Sequence, residues 1–442
     1  MSVLRHHRAG ALALAVIGAL ALPSFAAPLG AQLAPAEQRI HDFVHQQHEA
    51  EITMLADAVN VNSGTMNFAG VRKVGALFAA ALDSLGFDTR WVTLPDSVNR
   101  AGHLVAVHAG TPGGPRILLI GHLDTVFEGE GQGFVRDDTL AKGAGSSDMK
   151  GGDVIVVYAL KALRHVGALR DATITVVFNG DEESPGLPLS VSRRALREAA
   201  QHSDVALAFE GGSQSLASAS RRGASSWLLT VSARQSHSAG VFSAGVGYGA
   251  IYEAARILDG FRRELAGPKY LTFNPGVILG GATVDYDTAR LSGTVAGKTN
   301  IVAPTAVVPG DLRFITEGQK DSTRARMREI VAEHLPGTSA EITFEDAYPA
   351  MPMTPGGEHL IAVYDSASQA LGYGPVHAQD PSTRGAGDVS FVAPYIPGMD
   401  GLGALGRGAH TPREQVDLNS LIMQTERAAV MMYRLLDTTE QR

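Results

Sequence analysis

The chain has 442 residues, of which 45% are hydrophobic and 19% charged, so it can bury a large core and is expected to form two domains. Its formal net charge of −8, with no dense block of lysine and arginine, argues against a nucleic-acid partner. Because the chain has no cysteine, any metal ion must be held by histidine and carboxylate side chains.

Residues 1–26 have the pattern of a secretory signal peptide. Arg5 and Arg8 give a basic start, residues 10–22 form a short apolar run, and residues 24–26 form a small-x-small cleavage site. Residues 29–31 offer a second cleavage site, and an uncleaved anchor is the alternative, although the run is short for a membrane span. We therefore expect a periplasmic or secreted protein that leaves the membrane after cleavage.

Strands and helices alternate through the first half of the chain. Apolar periodicity and turn residues predict helices over 35–58, 69–86, 153–166 and 189–200, and strands over 87–93, 102–108, 116–124, 172–178 and 204–210. This order predicts an α/β fold with a mainly parallel sheet.

The pattern changes after residue 220. Strands are predicted over 226–233, 287–296, 306–315 and 340–346, and helices over 247–264 and 320–334. The order β-α-β-β-α-β is typical of a ferredoxin-like α+β domain. Helices over 358–371 and 416–436 then return to the first pattern. The expected organisation is a signal peptide (1–26), a catalytic domain in two parts (33–220 and 347–442), and an inserted lid or dimerisation domain (221–346).

Acidic and imidazole side chains follow three of the predicted strands at the point where each strand ends. They are His122 and Asp124, then Asp181, Glu182 and Glu183, and finally Glu210. Consecutive carboxylates at the end of a buried strand repel one another unless a cation shares the space. Because ligands bind at the carboxyl ends of parallel strands, the sequence predicts a metal site at this edge.

The chemistry of these residues suggests distinct roles. A carboxylate beside a ligating histidine fixes its tautomer, which suits Asp124. Asp148, in the glycine-rich loop 143–152, is either a ligand or the N-cap of the following helix. Adjacent residues held extended point in different directions, so one of Glu182 and Glu183 can bind metal while the other acts as general base.

The motifs, taken together and in order, resemble those of the M20 family of metallopeptidases. The matching pieces run from about residue 35 to the C-terminus: GHLDTV (121–126), GAGSSDMKGG (143–152), NGDEESPG (179–186), FEGG (209–212), SHSAG (236–240), GKTNIVAP (297–304), DLR (311–313) and GAHTPREQ (408–415). The resemblance implies two zinc ions, with cobalt or manganese also compatible, bridged by Asp148.

By the same resemblance, His122 and Glu210 hold one ion, and Glu183 and His410 hold the other. Glu182 is then the general base.

The resemblance also assigns residues of the inserted domain. It implies that His237 assists the oxyanion, commonly from the partner subunit, and that the lid forms a homodimer. Asn300 and Arg313 would bind the backbone or carboxylate of the substrate, and a guanidinium can grip a carboxylate through two hydrogen bonds. A surface arginine is the alternative for Arg313.

The expected function is a di-zinc hydrolase that releases a C-terminal amino acid from a peptide or dipeptide. An N-acyl-amino-acid deacylase with the same site is the alternative, and its substrate would be an N-acyl amino acid. Secretion favours the peptidase, because a biosynthetic deacylase normally stays in the cytoplasm. A metal-free binding or scaffold protein is the non-enzymatic alternative, which the complete set of ligand-type residues disfavours.

Overall fold

The computed structural model describes residues 32–129 and 132–437. The predicted signal peptide lies outside these residues. The α-helices of the described ranges are α1 (Pro35–Val59), α2 (Phe68–Asp83), α3 (Lys150–His165), α4 (Leu189–Ser192), α5 (Arg194–Gln201), α6 (Ala250–Leu265), α7 (Glu317–Ala332), α8 (Pro355–Ala370) and α9 (Asn419–Leu436).

The strands of the same ranges follow. They are β1 (Asp88–Val92), β2 (His103–His108), β3 (Arg116–His122), β4 (Val135–Asp137), β5 (Leu140–Lys142), β6 (Thr173–Asn179), β7 (Val205–Ala208), β8 (Leu216–Ala217), β9 (Gly223–Ala233), β10 (Ser236–His237), β11 (Thr272–Pro275), β12 (Leu279–Gly281), β13 (Thr283–Asp287), β14 (Ser292–Ala296), β15 (Ile301–Val302), β16 (Thr305–Phe314), β17 (Thr338–Asp346), β18 (His377–Ala378), β19 (Gly398–Met399), β20 (Gly406–Arg407) and β21 (Gln415–Asp417).

The central sheet has the strand order β1-β2-β6-β3-β7-β19. The pairs β6–β3, β3–β7 and β7–β19 are parallel, whereas β1 and β2 join one edge antiparallel. Alternate side chains go to opposite faces, as the pleat requires. Leu119 and Val176 pack towards the cluster that contains α1, α3 and α9, and Leu118 and Val177 pack towards Leu196 of α5. Both faces are covered, which confirms the predicted α/β class.

The inserted segment builds a sheet of its own, in the order β11-β16-β9-β17, with every neighbouring pair antiparallel. Helices α6 and α7 cover one face, where Trp227 packs with Phe261 and Met327 in a separate core. This is the ferredoxin-like arrangement expected from the sequence.

The predicted single strand over 287–296 is wrong. The chain turns after Asp287, and β13 pairs with β14 as an exposed hairpin. The Asp287 carboxylate accepts hydrogen bonds from the amides of Ala289 and Arg290, at 2.9 and 3.0 Å, and this interaction fixes the turn. The predicted helix over 189–200 is likewise divided, between α4 and α5.

The C-terminal part of the chain returns to the first domain. β19 extends the central sheet beside β7, β21 pairs with β5, and α9 packs against α1 and α3. The domain boundaries at residues 220 and 346 stay predictions. Among the described residues, none of the helices combines the length and apolarity that a membrane crossing requires.

Candidate active site

The carboxyl ends of β3, β6 and β7 meet at one edge of the central sheet. His122 at the end of β3 pairs with Asn179 at the end of β6, so residues 180–183 continue directly beside His122. On the other side, Glu210 follows β7, and its Oε1 lies 3.6 Å from His122 Nε2. The sheet therefore brings together the strand-end residues that the sequence placed at one edge.

Asp148 lies between two imidazoles. Its Oδ1 is 3.3 Å from His122 Nε2, and its Oδ2 is 3.1 Å from His410 Nε2. Each carboxylate oxygen thus faces a different histidine. This is the arrangement of a carboxylate that bridges two cations, rather than that of a helix cap, and Asp148 makes no side-chain cap of α3.

His410 reaches the pocket from the loop between β20 and β21. Its φ of 62° lies in the left-handed region, which a non-glycine residue adopts at a cost of roughly 1 kcal/mol. The Nε2 atom is also 3.1 Å from Glu183 Oε2. Its hydrogen bond with Asp148 raises the pKa of His410 to about 9.

Glu182 and Glu183 serve different neighbours, as their adjacency predicted. A carboxylate oxygen of Glu182 gathers with His122 and Glu210, whereas one of Glu183 gathers with His122 and Asp148. The ligand-type atoms in each group lie within 4.8 Å of one another.

Asp124 contacts the His122 imidazole through its backbone carbonyl more closely than through its carboxylate. The carbonyl oxygen of Asp124 is 3.0 Å from His122 Nδ1, while its carboxylate oxygen is 3.5 Å away. The carbonyl can only accept, so it fixes the tautomer that leaves Nε2 free to face the pocket. The Asp124 carboxylate instead accepts hydrogen bonds from the amides of Glu182 and Glu183, at 2.9 and 3.1 Å, and from Thr65.

Glu414 is a positioning residue that the sequence reasoning missed. Its carboxylate accepts hydrogen bonds from the amides of Gly145, Ser147 and Asp148, at 2.9 to 3.0 Å. It thereby holds the loop that presents Asp148. The signal was available, because Glu414 lies in the same motif as His410, but spacing alone does not connect it with a loop about 270 positions earlier.

Four carboxyl groups line the pocket: those of Asp148, Glu182, Glu183 and Glu210. The pKa of Glu210 is raised to about 8, mainly by burial; His122 lowers it and the charge of Asp148 contributes to the rise. Burial also raises the pKa of Glu183 to about 7 and that of Glu182 well above its usual range. Several carboxyl groups held together in one buried pocket form the electrostatic condition of a metal site.

The donor set fits two metal ions. The four nitrogen–oxygen separations among His122, Asp148, Glu183, Glu210 and His410 run from 3.1 to 3.6 Å. Ligand atoms around a tetrahedral ion with bonds of 2.0–2.2 Å lie about 3.3–3.6 Å apart. Imidazole and carboxylate donors suit zinc and also accept cobalt or manganese. The residues present therefore fit a pair of ions that share Asp148.

A buried ionic network lies beneath the strand end. Arg193 donates hydrogen bonds to Asp181 Oδ1 at 2.6 Å and to Asp388 Oδ1 at 2.7 Å. Asn179 donates to the other oxygen of Asp388 at 2.5 Å. The carboxylates of Asp181 and Asp388 are thus engaged in this network, and Asp181 is bonded to Arg193, Ser192 and the Gly186 amide rather than to the metal-type side chains.

The pocket has a volume of about 450 Å³. It is lined by Asp148, Glu183, Glu210 and His410, together with Glu182, Arg221, Arg384 and Arg407. Arg384 also lines an adjoining groove with Arg313. Within that groove Arg313 pairs with Asp311, Nε to Oδ2, at 3.0 Å. Arg384 thus lines both the pocket and the groove, whereas the charge of Arg313 is balanced by Asp311.

His237 and Asn300 lie outside the lining of this pocket and are exposed. They lie close to each other, because β10 pairs with β15 and the Ser238 amide donates to the Asn300 carbonyl. One chain therefore does not bring these two predicted residues to the metal donors.

Fold and site together define a two-domain metallohydrolase. The model of peptidase family M20/M25/M40 matches residues 118–437, which is most of the chain. The protein belongs to this family and is a hydrolase of the metallopeptidase type.

Curated relatives agree with this assignment. Carboxypeptidase G2 of Pseudomonas sp. (strain RS-16) is 27% identical over 403 residues, covering 88% of this chain and 90% of that protein. Succinyl-diaminopimelate desuccinylase of Acidiphilium cryptum (strain JF-5) is 27% identical over 377 residues, covering 82% and 91%.

Solved structures share the fold. Aminopeptidase PepT from Bacillus cereus ATCC 10987 has a TM-score of 0.72 at 18% identity, covering 88% of this chain and 98% of that chain. A Bacillus subtilis protein described as a dinuclear metal binding peptidase from M20 family has a TM-score of 0.61 at 16% identity, covering 89% and 99%.

Proposed function

We propose that the protein is a co-catalytic di-zinc amidohydrolase that releases a C-terminal amino acid from a small peptide. The observation that carries this proposal is the position of Asp148, with one carboxylate oxygen facing each imidazole at 3.3 and 3.1 Å. A carboxylate shared in this way suits two ions rather than one.

The ligands of the two ions follow from the contacts. His122 and Glu210 would hold one ion, His410 and Glu183 the other, and Asp148 would bridge both. Two ions in this pocket supply an activated water and polarise the amide carbonyl, and zinc, cobalt and manganese can each do so.

Glu182 is the proposed general base. It lies in the pocket lining beside Glu210, and its amide is fixed by the Asp124 carboxylate at 2.9 Å. From there it accepts the proton of the attacking water and returns it to the departing amine as the carbon–nitrogen bond breaks. The hydrogen bond from its amide to Asp124 holds the backbone from which this side chain extends.

The groove beside the pocket is the proposed site for the substrate carboxylate. Arg313 and Arg384 line it, and a guanidinium binds a carboxylate through two parallel hydrogen bonds. A peptide whose carboxylate binds in this groove has its last amide bond towards the pocket. This geometry supports a carboxypeptidase.

His237 and Asn300 are proposed to complete the site of the partner subunit in a homodimer. Both are exposed, and in their own chain they lie away from the pocket lining. The lid also exposes the apolar side chains of Phe242, Ile251 and Tyr252, which a partner would cover. The hydrogen-bond donors that stabilise the oxyanion would then belong to the partner subunit.

The second candidate is an N-acyl-amino-acid deacylase. The chain is 27% identical to a carboxypeptidase and 27% identical to a desuccinylase, so sequence identity favours neither reaction. Both reactions also release an amino acid that carries a free carboxylate. The signal-like segment 1–26 supports a periplasmic or secreted location, where peptide scavenging is the more natural role.

The test uses the chain without residues 1–26, loaded with zinc. Release of free amino acids is followed on dipeptides, folate-type glutamate conjugates and N-succinyl amino acids, each with and without a chelator. We expect chelator-sensitive release, fastest for the peptide or glutamate conjugates. Faster release from the N-succinyl series would establish the deacylase instead. No release together with no bound metal would refute the enzymatic proposal and favour a scaffold.

A further inference from the structure

A second group of metal-type side chains lies between the first and the last helix. His41 and His45 are one turn apart on α1, so both lie on the face that packs against α9. His41 Nδ1 is 2.7 Å from Oε1 of Glu426 on α9, and His45 Nε2 is 3.0 Å from the same oxygen. None of these residues belongs to the catalytic pocket.

The shared oxygen is not satisfied by hydrogen bonds. Glu426 is fully buried, and neither its Oε1 nor the Nδ1 of His41 has a partner in hydrogen-bond geometry. The two imidazole nitrogens thus approach one oxygen closely without a hydrogen aligned between them. Burying a carboxylate oxygen without a hydrogen-bond donor costs folding free energy, and a cation bound between the oxygen and the two imidazoles would offset that cost.

The other oxygen of Glu426 is firmly held. The hydroxyl group of Tyr373 donates a hydrogen bond to Oε2 at 2.6 Å, which fixes the carboxylate with Oε1 directed at the two imidazoles. Such an outer hydrogen bond is what orients a ligating carboxylate.

We propose that His41, His45 and Glu426 form a binding site for a divalent ion of the zinc type, separate from the catalytic centre. Two imidazoles four residues apart on a helix and a glutamate from elsewhere give the His₂Glu donor set of mononuclear zinc sites. The imidazole side chains are 32% and 48% exposed, so the ion has an entry path and water can occupy a fourth position.

Binding requires only a small adjustment. The nitrogen–oxygen separations must widen from 2.7 and 3.0 Å to about 3.3 Å, which small side-chain rotations of the exposed histidines can provide. The nearby Glu51 is also buried: Thr425 donates a hydrogen bond to its Oε1, and His48 Nδ1 lies 3.8 Å from its Oε2. A cation at the proposed site would favour the ionised form of Glu51. Burial raises the pKa of Glu426 to about 7, because the charged carboxylate is poorly solvated there.

The ion would fasten α1 to α9, and thus the two ends of the described chain. Its effect would be on folding stability, because an ion that binds only the folded chain stabilises it in proportion to its affinity. The proposal does not depend on the catalytic metals, since it involves different residues.

The test is the zinc content at micromolar free zinc of the wild-type protein and of His45→Gln. His359→Gln, an exposed histidine on α8, is the matched control. We expect His45→Gln to lose one zinc ion per chain and His359→Gln to lose none. Equal zinc content in wild type and His45→Gln overturns the site.

A second pair of measurements separates this site from the proposed function. Asp148→Asn, which alters the bridging position, should lower the zinc content of the catalytic centre and leave intact the ion that His45→Gln removes. Zinc should also raise the melting temperature of Asp148→Asn, and this rise should vanish in Asp148→Asn/His45→Gln. A difference of one ion between wild type and His45→Gln supports the site even where the catalytic pair fails to bind. An unchanged melting response in the double variant contradicts it.

Discussion

Histidines meet carboxylates in two regions of this molecule, and the regions are built differently. The catalytic pocket joins side chains from positions 122 to 410, delivered by strand ends and loops of one sheet edge. The helix cluster joins two histidines one turn apart with a single glutamate from α9. The pocket has more carboxylates than imidazoles, and the helix cluster has the reverse.

The spacing of the donors differs as well. In the pocket the nitrogen–oxygen separations of 3.1–3.6 Å already match those around a bound ion, whereas in the helix cluster they are 2.7 and 3.0 Å. Asp124 and Glu414 accept hydrogen bonds from the amides of Glu182 and Asp148, and so hold the loops that present these side chains to the pocket. In the helix cluster the glutamate is held by Tyr373, but the two histidines are 32% and 48% exposed, so the cluster should bind an ion more weakly. The proposed catalytic site is therefore more preorganised for an ion than the proposed stabilising site in the helix cluster.

The largest expected effect is that of Glu182→Gln in the pocket. Loss of the general base should lower kcat by roughly 10³- to 10⁴-fold, with zinc content unchanged, because Glu182 is not a proposed ligand. The same substitution in the other region, Glu426→Gln, should leave kcat unchanged. Steady-state kinetics with metal analysis checks both. Retained activity in Glu182→Gln removes its proposed role, and a large loss in Glu426→Gln would show that the two regions are not independent.

A smaller effect is expected for His237→Ala. Loss of an oxyanion donor should lower kcat by roughly 10²- to 10³-fold without changing the zinc content. Because the residue is proposed to act across a dimer, mixing His237→Ala with Glu182→Gln should restore about a quarter of wild-type activity after subunit exchange. No recovery in a mixture that has exchanged subunits would place His237 in its own pocket or outside catalysis. The helix cluster, complete within one chain, should show no dependence on subunit exchange.

The next effect concerns pH and the helix cluster. Burial raises the pKa of Glu426 from its ordinary value of 4.5 to about 7, so the folded chain holds this proton more tightly than the unfolded chain between those values. The free energy of unfolding should therefore fall as pH rises through this window, by up to about 3 kcal/mol.

Urea unfolding in chelator at about pH 5 and about pH 7.5 measures this fall, and Glu426→Gln should reduce it. His41, His45, Glu51 and Tyr373 also face the carboxyl group, so the difference between wild type and variant is the relevant quantity. An identical fall in both would show that Glu426 does not carry it. Zinc should abolish the fall in wild type, because an ion favours the charged carboxylate.

The smallest effect is expected at the groove. Arg313→Ala should raise KM by roughly 10-fold, with kcat less affected, because it removes a contact with the substrate carboxylate that is present in both ground and transition states. Arg290→Ala, an exposed arginine of the lid hairpin, is the control and should leave KM unchanged. An unchanged KM in Arg313→Ala would favour the surface-arginine alternative.

Much of the fold follows from local pattern. The apolar runs that end at His122 and near Asn179 form adjacent parallel strands. The inserted segment has the expected β-α-β-β-α-β order, but its second strand is β11 rather than the strand predicted over 287–296. Local pattern misses the turn at Asp287, because an aspartate that caps a turn with its carboxylate resembles one on a strand until the backbone conformation is known.

The sequence by itself determined the chemical type of the site. Strand ends of a parallel sheet share one edge, so the acids and the histidine that follow those strands had to meet there. Only the tertiary structure decided which side chains support them. The contact of Glu414 with the Asp148 loop, the buried Arg193–Asp388 pair and the meeting of His41 and His45 with Glu426 join residues far apart in the chain. Such contacts depend on how packed elements are oriented, and no local periodicity encodes that orientation.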